Sequence, residues 1–130
     1  MSTTLDLLRK GYDDSARGNV AAATEAWPDD FVLEGPKAEG LVLSGVHEGK
    51  EAALRALTAL AATYDESKTL PHEFIEEGDT IVVLVHVELR KGDRSAKFSA
   101  AHIWRFSNGQ PRRLQIFSDT LQTARVLGVV

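Results

Sequence analysis

The sequence contains no cysteine among its 130 residues. Disulfide bonds, thiolate nucleophiles and cysteine-ligated metal sites are therefore excluded. Basic residues are not in excess either, because 15 lysines and arginines stand against 19 aspartates and glutamates, giving a formal net charge of −4. Nucleic acids are bound largely through clustered positive charge, so we expect no nucleic-acid partner.

Long apolar runs are also missing. The longest, residues 81–85, is far too short to span a bilayer. The N-terminal residues MSTTLDLLRK lack the basic and apolar regions of a signal peptide. Hydrophobic residues make up 43% of the chain and charged residues 26%, as in ordinary globular domains. We therefore expect a soluble cytoplasmic protein without a membrane partner, folded as one domain over residues 1–130.

The order of the local patterns indicates the fold class. Helical spacing of apolar residues predicts three helices, from Thr3 to Gly18, from Val20 to Trp27 and from about Lys50 to Tyr64. A short strand over residues 31–35 and a loop over residues 36–49 lie between the second and third helices.

Strand-like runs follow Pro71 and are separated by three hairpin signals: Glu77-Gly78-Asp79, Gly92-Asp93 and Asn108-Gly109. Helices followed by hairpin-linked strands predict an α+β fold with an antiparallel sheet.

The Gly92-Asp93 hairpin lets us derive a strand register. If these residues form a two-residue turn, Lys91 faces Arg94 and the remaining pairs follow. Glu88 then faces Lys97, an attractive cross-strand pair that supports this register. One face of the hairpin is apolar or aromatic at every position except His102, and it includes Val83, Val87, Phe98 and Trp104.

His102 therefore has two interpretations. It is either a core histidine kept for packing, or the one ionisable group in the wall of a ligand pocket. In both cases burial requires a hydrogen-bond partner. Tyr12, on the buried face of the first helix, carries a hydroxyl that can reach such a cavity.

Asp119 closes the last strand and also has two interpretations. It either caps the final short helix or serves as a functional carboxylate. A two-residue loop at Asn108-Gly109 puts Asp119 on the same face as His102, whereas a three-residue loop separates them. Pro111 is compatible with both loops.

Metal and cofactor signals are absent from the sequence. His47-Glu48 resembles the start of a zinc motif, but Glu51 stands where the second histidine is needed, so we expect no metal. The sequence has no G-x-G-x-x-G, no P-loop and no G-x-S-x-G, and we expect no cofactor.

Several segments together resemble the nuclear transport factor 2-like superfamily, most closely its SnoaL-like polyketide cyclases and ketosteroid isomerase-like proteins. They are Ala16-Arg17-Gly18-Asn19, Trp27-Pro28-Asp29-Asp30-Phe31, Gly49-Lys50-Glu51-Ala52, His102-Ile103-Trp104-Arg105-Phe106 and Phe117-Ser118-Asp119-Thr120-Leu121. The resemblance implies a cystatin-like α+β roll, in which a cone-shaped, curved antiparallel sheet wraps around the N-terminal helices. It also implies an internal pocket and a homodimer.

The resemblance also assigns roles to individual residues. Ketosteroid isomerases carry their general base just before the proline after the first strand; here Gly35 occupies that place, so Glu34 would have to turn inward to replace it. The second acid of those enzymes aligns with His102. The catalytic aspartate of SnoaL-like cyclases matches Asp119, ten residues after Gly109.

The sequence is compatible with three functions. The first is a cofactor-independent isomerase, cyclase or lyase that performs acid–base chemistry on a small hydrophobic carbonyl compound, with Asp119 and His102 catalytic. Its substrate-binding residues would be Tyr12, Trp104, Phe98 and Val83. The second is a non-catalytic ligand-binding domain with the same pocket. The third is an interaction module, for which the opposite sheet face offers an apolar strip suited to a homodimer: Val82, Leu84, Ala101 and Ile103.

Overall fold

The structure is a computed structural model and describes residues 3–129. Within these residues it has four helices: α1 (Thr3–Ala16), α2 (Val20–Ala23), α3 (Lys50–Thr63) and α4 (Thr120–Leu127). It has six strands: β1 (Val32–Glu34), β2 (Val46–Glu48), β3 (Glu66–Glu77), β4 (Thr80–Lys91), β5 (Arg94–Ser107) and β6 (Gln110–Phe117). The predicted α+β class is confirmed.

The strands form one curved sheet in the order β2-β1-β6-β5-β4-β3. Neighbouring strands are antiparallel except for β1 and β6, which pair in parallel. The sheet is thus antiparallel as predicted, apart from this one parallel pair. A parallel pair needs a long connection, and here most of the chain lies between the two strands.

The register derived from the Gly92-Asp93 turn is confirmed. Lys91 pairs with Arg94, Glu88 with Lys97 and Val83 with His102. The inner face of this hairpin packs into the core, where Val83 is fully buried.

The larger differences from the predicted elements are at β3, β2 and α2. β3 begins at Glu66 rather than after Pro71, because β3 is an edge strand and the chain shifts register between Pro71 and Glu73. A short strand, β2, lies inside the segment predicted as a loop. The second helix ends at Ala23 instead of Trp27.

The loop after β1 approaches that strand closely at Gly35. The Gly35 amide donates to the Gly45 carbonyl at 2.8 Å. A Cβ atom at Gly35 would lie only 1.6 Å from the Leu43 carbonyl oxygen, so this position accepts no side chain. The close approach holds the loop against the end of β1, and Leu43 of this loop packs against the core.

No helix within residues 3–129 is long and apolar enough to cross a membrane.

Candidate functional site

A cavity of about 1000 Å³ lies against the inner face of the sheet and is also lined by residues of α1, α2 and α3. Most of its wall is apolar, with contributions from β4, β5 and β6. Four of the six predicted site residues line it: Tyr12, Phe98, His102 and Trp104.

Three of these side chains form a hydrogen-bonded chain. The indole nitrogen of Trp104 donates to the Tyr12 hydroxyl oxygen at 2.9 Å. The same hydroxyl lies 2.6 Å from Nδ1 of His102. The buried partner expected for His102 is therefore Tyr12. Tyr12 of α1 thus contacts two residues of β5, His102 and Trp104, which are two positions apart on the same face of the strand.

We assign the tautomer of the imidazole from the hydrogen-bond network. An indole N–H can only donate, so the Tyr12 oxygen accepts from Trp104, and His102 Nδ1 is the acceptor that the structure places within reach of the Tyr12 proton among residues 3–129. His102 Nδ1 then accepts, and the neutral ring carries its proton on Nε2. Nε2 makes no hydrogen bond within residues 3–129, and because the ring lines the cavity, the Nε2–H group is available to a ligand.

Burial keeps this network uncharged. Removal from water lowers the pKa of His102 to about 4, because the charged ring loses its hydration. Burial also raises the pKa of Tyr12 well above its ordinary value, and the hydrogen bond from Trp104 offsets part of that rise. At neutral pH the imidazole and the phenol are therefore both neutral hydrogen-bonding groups.

Aromatic packing holds the network in place. The Tyr12 ring stacks on His102 with centroids 5.8 Å apart and meets Trp104 edge-on at 6.2 Å. On its other side Tyr12 meets the edge of Phe74 at 6.0 Å. Trp104 in turn contacts Trp27 edge-on at 6.1 Å. Offset and edge-on pairs of this kind add to the burial of the rings and restrict their orientation.

Of the predicted substrate-binding residues Val83 and Phe98, only Phe98 lines the cavity. Phe98 is half-buried and lines the cavity, as predicted. Val83 lies on the same face as His102 but is fully covered by its core neighbours and does not line the cavity. The prediction of Val83 as a substrate-binding residue is corrected accordingly, since a side chain with no exposed surface has none to offer a ligand.

The structure does not bring Asp119 to His102. The Asn108-Gly109 turn has two residues, but a bulge between Arg105 and Phe106 shifts the register by one, so His102 pairs with Ile116. Because of that shift, Asp119 lies on the opposite face of the sheet from His102. Its carboxylate accepts from the Gln122 amide at 3.0 Å and caps α4, and it is not among the residues that line the cavity.

The position of the isomerase base is closed by packing. Gly35 accepts no side chain, and Glu34 does not turn inward to replace it. Its carboxylate instead pairs with Arg113 and accepts from Gln115 at 3.3 Å. Both partners lie on β6 beside it in the parallel pair.

Sequence reasoning missed several residues of the wall. Trp27, Leu57, Tyr64 and Thr69 also line the cavity. Thr69 was missed because its strand was expected to begin later.

The carboxylates in the lining are Asp14 and Glu25, and Asp14 is bound to Lys10 at 2.7 Å. Residues 3–129 hold no group of three or more side chains arranged to bind a metal ion.

Comparison with known proteins gives a consistent family. A family profile described as a SnoaL-like domain matches residues 8–113. No curated protein matches the chain at a significant level of sequence similarity.

Solved structures match nearly the whole chain. An NTF2-like protein of unknown function from Burkholderia pseudomallei is 27% identical, with a TM-score of 0.88 and 98% of both chains covered. TerC, co-crystallised with polyporic acid, is 20% identical, with a TM-score of 0.89 over 98% of this chain and 99% of its own. A protein named as a SnoaL-like polyketide cyclase from Jannaschia sp. CCS1 is 14% identical, with a TM-score of 0.82 over 98% of this chain and 92% of its own. These structures show that the fold is NTF2-like.

Proposed function

The chain belongs to the SnoaL-like domain family, and we propose that its cavity binds a small, mostly hydrophobic carbonyl compound. The observation that carries the proposal is the His102 imidazole in an otherwise largely apolar wall, with Nδ1 bound to the Tyr12 hydroxyl and Nε2 without a partner within residues 3–129. An oriented donor among apolar side chains is the arrangement that fixes one polar atom of a hydrophobic ligand.

The chemistry follows from the network. His102 donates its Nε2 proton in a hydrogen bond to the carbonyl oxygen, and Tyr12 holds the imidazole in the tautomer that can do so. Trp104 fixes Tyr12 in turn. A neutral imidazole in this position polarises the carbonyl and stabilises negative charge that develops on its oxygen.

Binding can be tested with 4-acetylbiphenyl labelled with ¹³C at the carbonyl. We expect isothermal titration to show binding, and we expect the carbonyl ¹³C resonance to move downfield in the complex because the oxygen accepts a hydrogen bond. Its control compound, 4-ethylbiphenyl, has no carbonyl and should bind about three- to tenfold more weakly, since a typical hydrogen bond is worth about 1 kcal/mol.

A matched pair of variants isolates the donor. His102→Asn removes the group at Nε2 but retains an oxygen that can accept from Tyr12, and it should abolish the preference for the ketone. His102→Gln restores an N–H near Nε2 and should recover part of that preference. Equal binding of both compounds by the unaltered protein would contradict the proposal.

Whether the protein also catalyses a reaction on the bound ketone is tested separately. In an acid–base reaction Asp119 would exchange a proton at the carbon next to the carbonyl, while His102 stabilises the enolate. The helix-capping bond of Asp119 favours binding over turnover. Exchange of the acetyl protons of 4-acetylbiphenyl in D₂O, followed by ¹H NMR, decides between them. Protein-dependent exchange that is lost in Asp119→Asn would establish the enzyme, whereas no exchange above the buffer rate supports a binding protein.

We also propose that the outer face of the sheet forms a homodimer. Across β3, β4, β5 and β6 two rows of apolar side chains meet on this face. They make up the outer-face patch: Ile75, Val82, Leu84, Ala101, Ile103 and Phe117. Ile75 and Phe117 are exposed by 47% and 51%, which is unusual for large apolar side chains unless a partner covers them.

Light scattering coupled to size exclusion tests the dimer. Ile103→Lys places a charge in the middle of the patch and should produce a monomer. Ser99→Lys, on an exposed position of the same face of β5, should leave the dimer intact. A monomer at all concentrations of the unaltered chain would refute this proposal.

A further inference from the structure

The cavity extends well beyond His102 along the inner face of the sheet. Its wall continues along β5 to Ala100 and Phe98, and β4 contributes Val87 and Leu89. Phe98 precedes His102 by four positions on one strand, which corresponds to about 13 Å of extended chain. A ligand that fills the cavity therefore has a second end, far from the imidazole.

Three residues with hydroxyl groups line the cavity at this second end. Thr69 pairs with Val87 and Ser67 with Leu89, which places both side chains on the inner face of β3. Tyr64 follows the last residue of α3 and is only 6% exposed. All three hydroxyl-bearing residues line the same cavity as His102.

These hydroxyls differ from those of three threonines that bond to the backbone. Thr24, Thr63 and Thr123 each donate to a backbone carbonyl four residues earlier. Within residues 3–129, the hydroxyls of the three second-end residues make no hydrogen bond. Burial also raises the pKa of Tyr64, so its phenol keeps its proton and can donate. Hydroxyl groups left available in an apolar wall are the ones that meet a second polar atom of a ligand.

We propose that Tyr64, Ser67 and Thr69 form a second polar subsite, which binds an oxygen at the end of the ligand opposite to the carbonyl held by His102. The inference rests on the proposed function and narrows it. The ligand class becomes an elongated hydrophobic ketone that carries a hydroxyl group at its far end.

Two compounds that differ only at this end test the subsite. The first is 4-acetylbiphenyl and the second is 4-acetyl-4′-hydroxybiphenyl, with affinities measured by isothermal titration. We expect the hydroxylated compound to bind about three- to tenfold more tightly, as one added hydrogen bond implies. Thr69→Val and Tyr64→Phe should reduce this ratio, measured within each variant, towards one.

Controls separate the possible failures. Thr58→Val alters an exposed threonine of α3 outside the cavity and should leave the ratio unchanged. Ser67→Ala, at an exposed position, tests the subsite without disturbing the core. Equal affinities for the two compounds in the unaltered protein, or a ratio that persists in all three subsite variants, would overturn the subsite alone. Failure of both compounds to bind would instead overturn the proposed function on which the subsite rests.

Discussion

The pH dependence of folding stability offers a direct test of the buried His102 network. Burial lowers the pKa of His102 from 6.5 to about 4 in the folded chain, whereas the unfolded chain keeps the ordinary value. Above pH 6.5 the ring is neutral in both states, so its titration places no penalty on the folded state. As the pH falls from 6.5 towards 4, the unfolded chain takes up a proton that the folded chain does not, and stability is lost.

The magnitude follows from the size of the shift. One pKa unit corresponds to about 1.4 kcal/mol, so a displacement from 6.5 to about 4 removes about 3 kcal/mol from the free energy of unfolding by pH 4. A single domain has a total stability of about 5–15 kcal/mol, which makes this a large fraction. At a urea m-value of about 2 kcal/mol per molar, the unfolding midpoint should fall by about 1.5 M.

Urea unfolding followed by circular dichroism between pH 4 and pH 8 measures the effect. Carboxylates also titrate in this window, so the comparison is made with His102→Asn, which retains the acceptor for Tyr12 but has no ionisable ring. The difference between the two stability curves should be flat above pH 6.5 and fall by about 3 kcal/mol towards pH 4. Parallel curves across the whole range would refute the claim that His102 is buried and neutral.

Three further substitutions and one control variant test the packing of the fold by the same unfolding assay. Tyr12→Phe leaves a buried donor and a buried acceptor unpaired and should destabilise the fold by about 2–4 kcal/mol; an unchanged midpoint would contradict the hydrogen-bonded chain. Gly35→Ala forces a Cβ to within 1.6 Å of the Leu43 oxygen and should prevent folding or lower stability by more than about 3 kcal/mol, whereas Gly11→Ala, with ordinary contacts in a helix, should be neutral or stabilising. His47→Leu removes a buried Nε2 atom that has no partner within the described chain and should raise stability by about 1 kcal/mol, so a loss would show that this nitrogen is satisfied in solution.

His102 could be identified as special from the sequence because the Gly92-Asp93 turn defined the register of β4 and β5 without further information. A two-residue turn leaves one pairing, and alternation along each strand then assigns every side chain to a face. The need for a buried partner was also foreseeable. That the partner is Tyr12 was not, because the sequence does not specify how α1 crosses the sheet.

The separation of Asp119 from His102 could not be foreseen, because it depends on one irregularity. The Asn108-Gly109 turn alone would place both residues on one face. A bulge after Arg105 shifts the register of β6 by one position, and that shift moves every later side chain to the other face. Bulges have a weak local sequence signature, so the face of Asp119 was undetermined. The contact of Gly35 with Leu43 is equally non-local, since it depends on how the intervening loop folds back.

The protonation of the network limits the chemistry that the cavity can perform by itself. His102 Nδ1 is occupied by the Tyr12 hydroxyl, and Nε2 already carries the proton of the neutral ring. The imidazole can therefore donate to an oxygen, but it has no free lone pair with which to remove a proton from carbon, and its low pKa makes it a weak base. Proton abstraction would need a carboxylate, yet the position next to Pro36 accepts no side chain and the oxygen of Asp119 caps a helix. The carboxylates that do line the cavity are Asp14, which is paired with Lys10, and Glu25. Neither position at which the family resemblance places a base is beside His102, so we expect His102 to hold a ketone in one orientation, and the proton-exchange assay tests whether a carboxylate of the lining adds turnover.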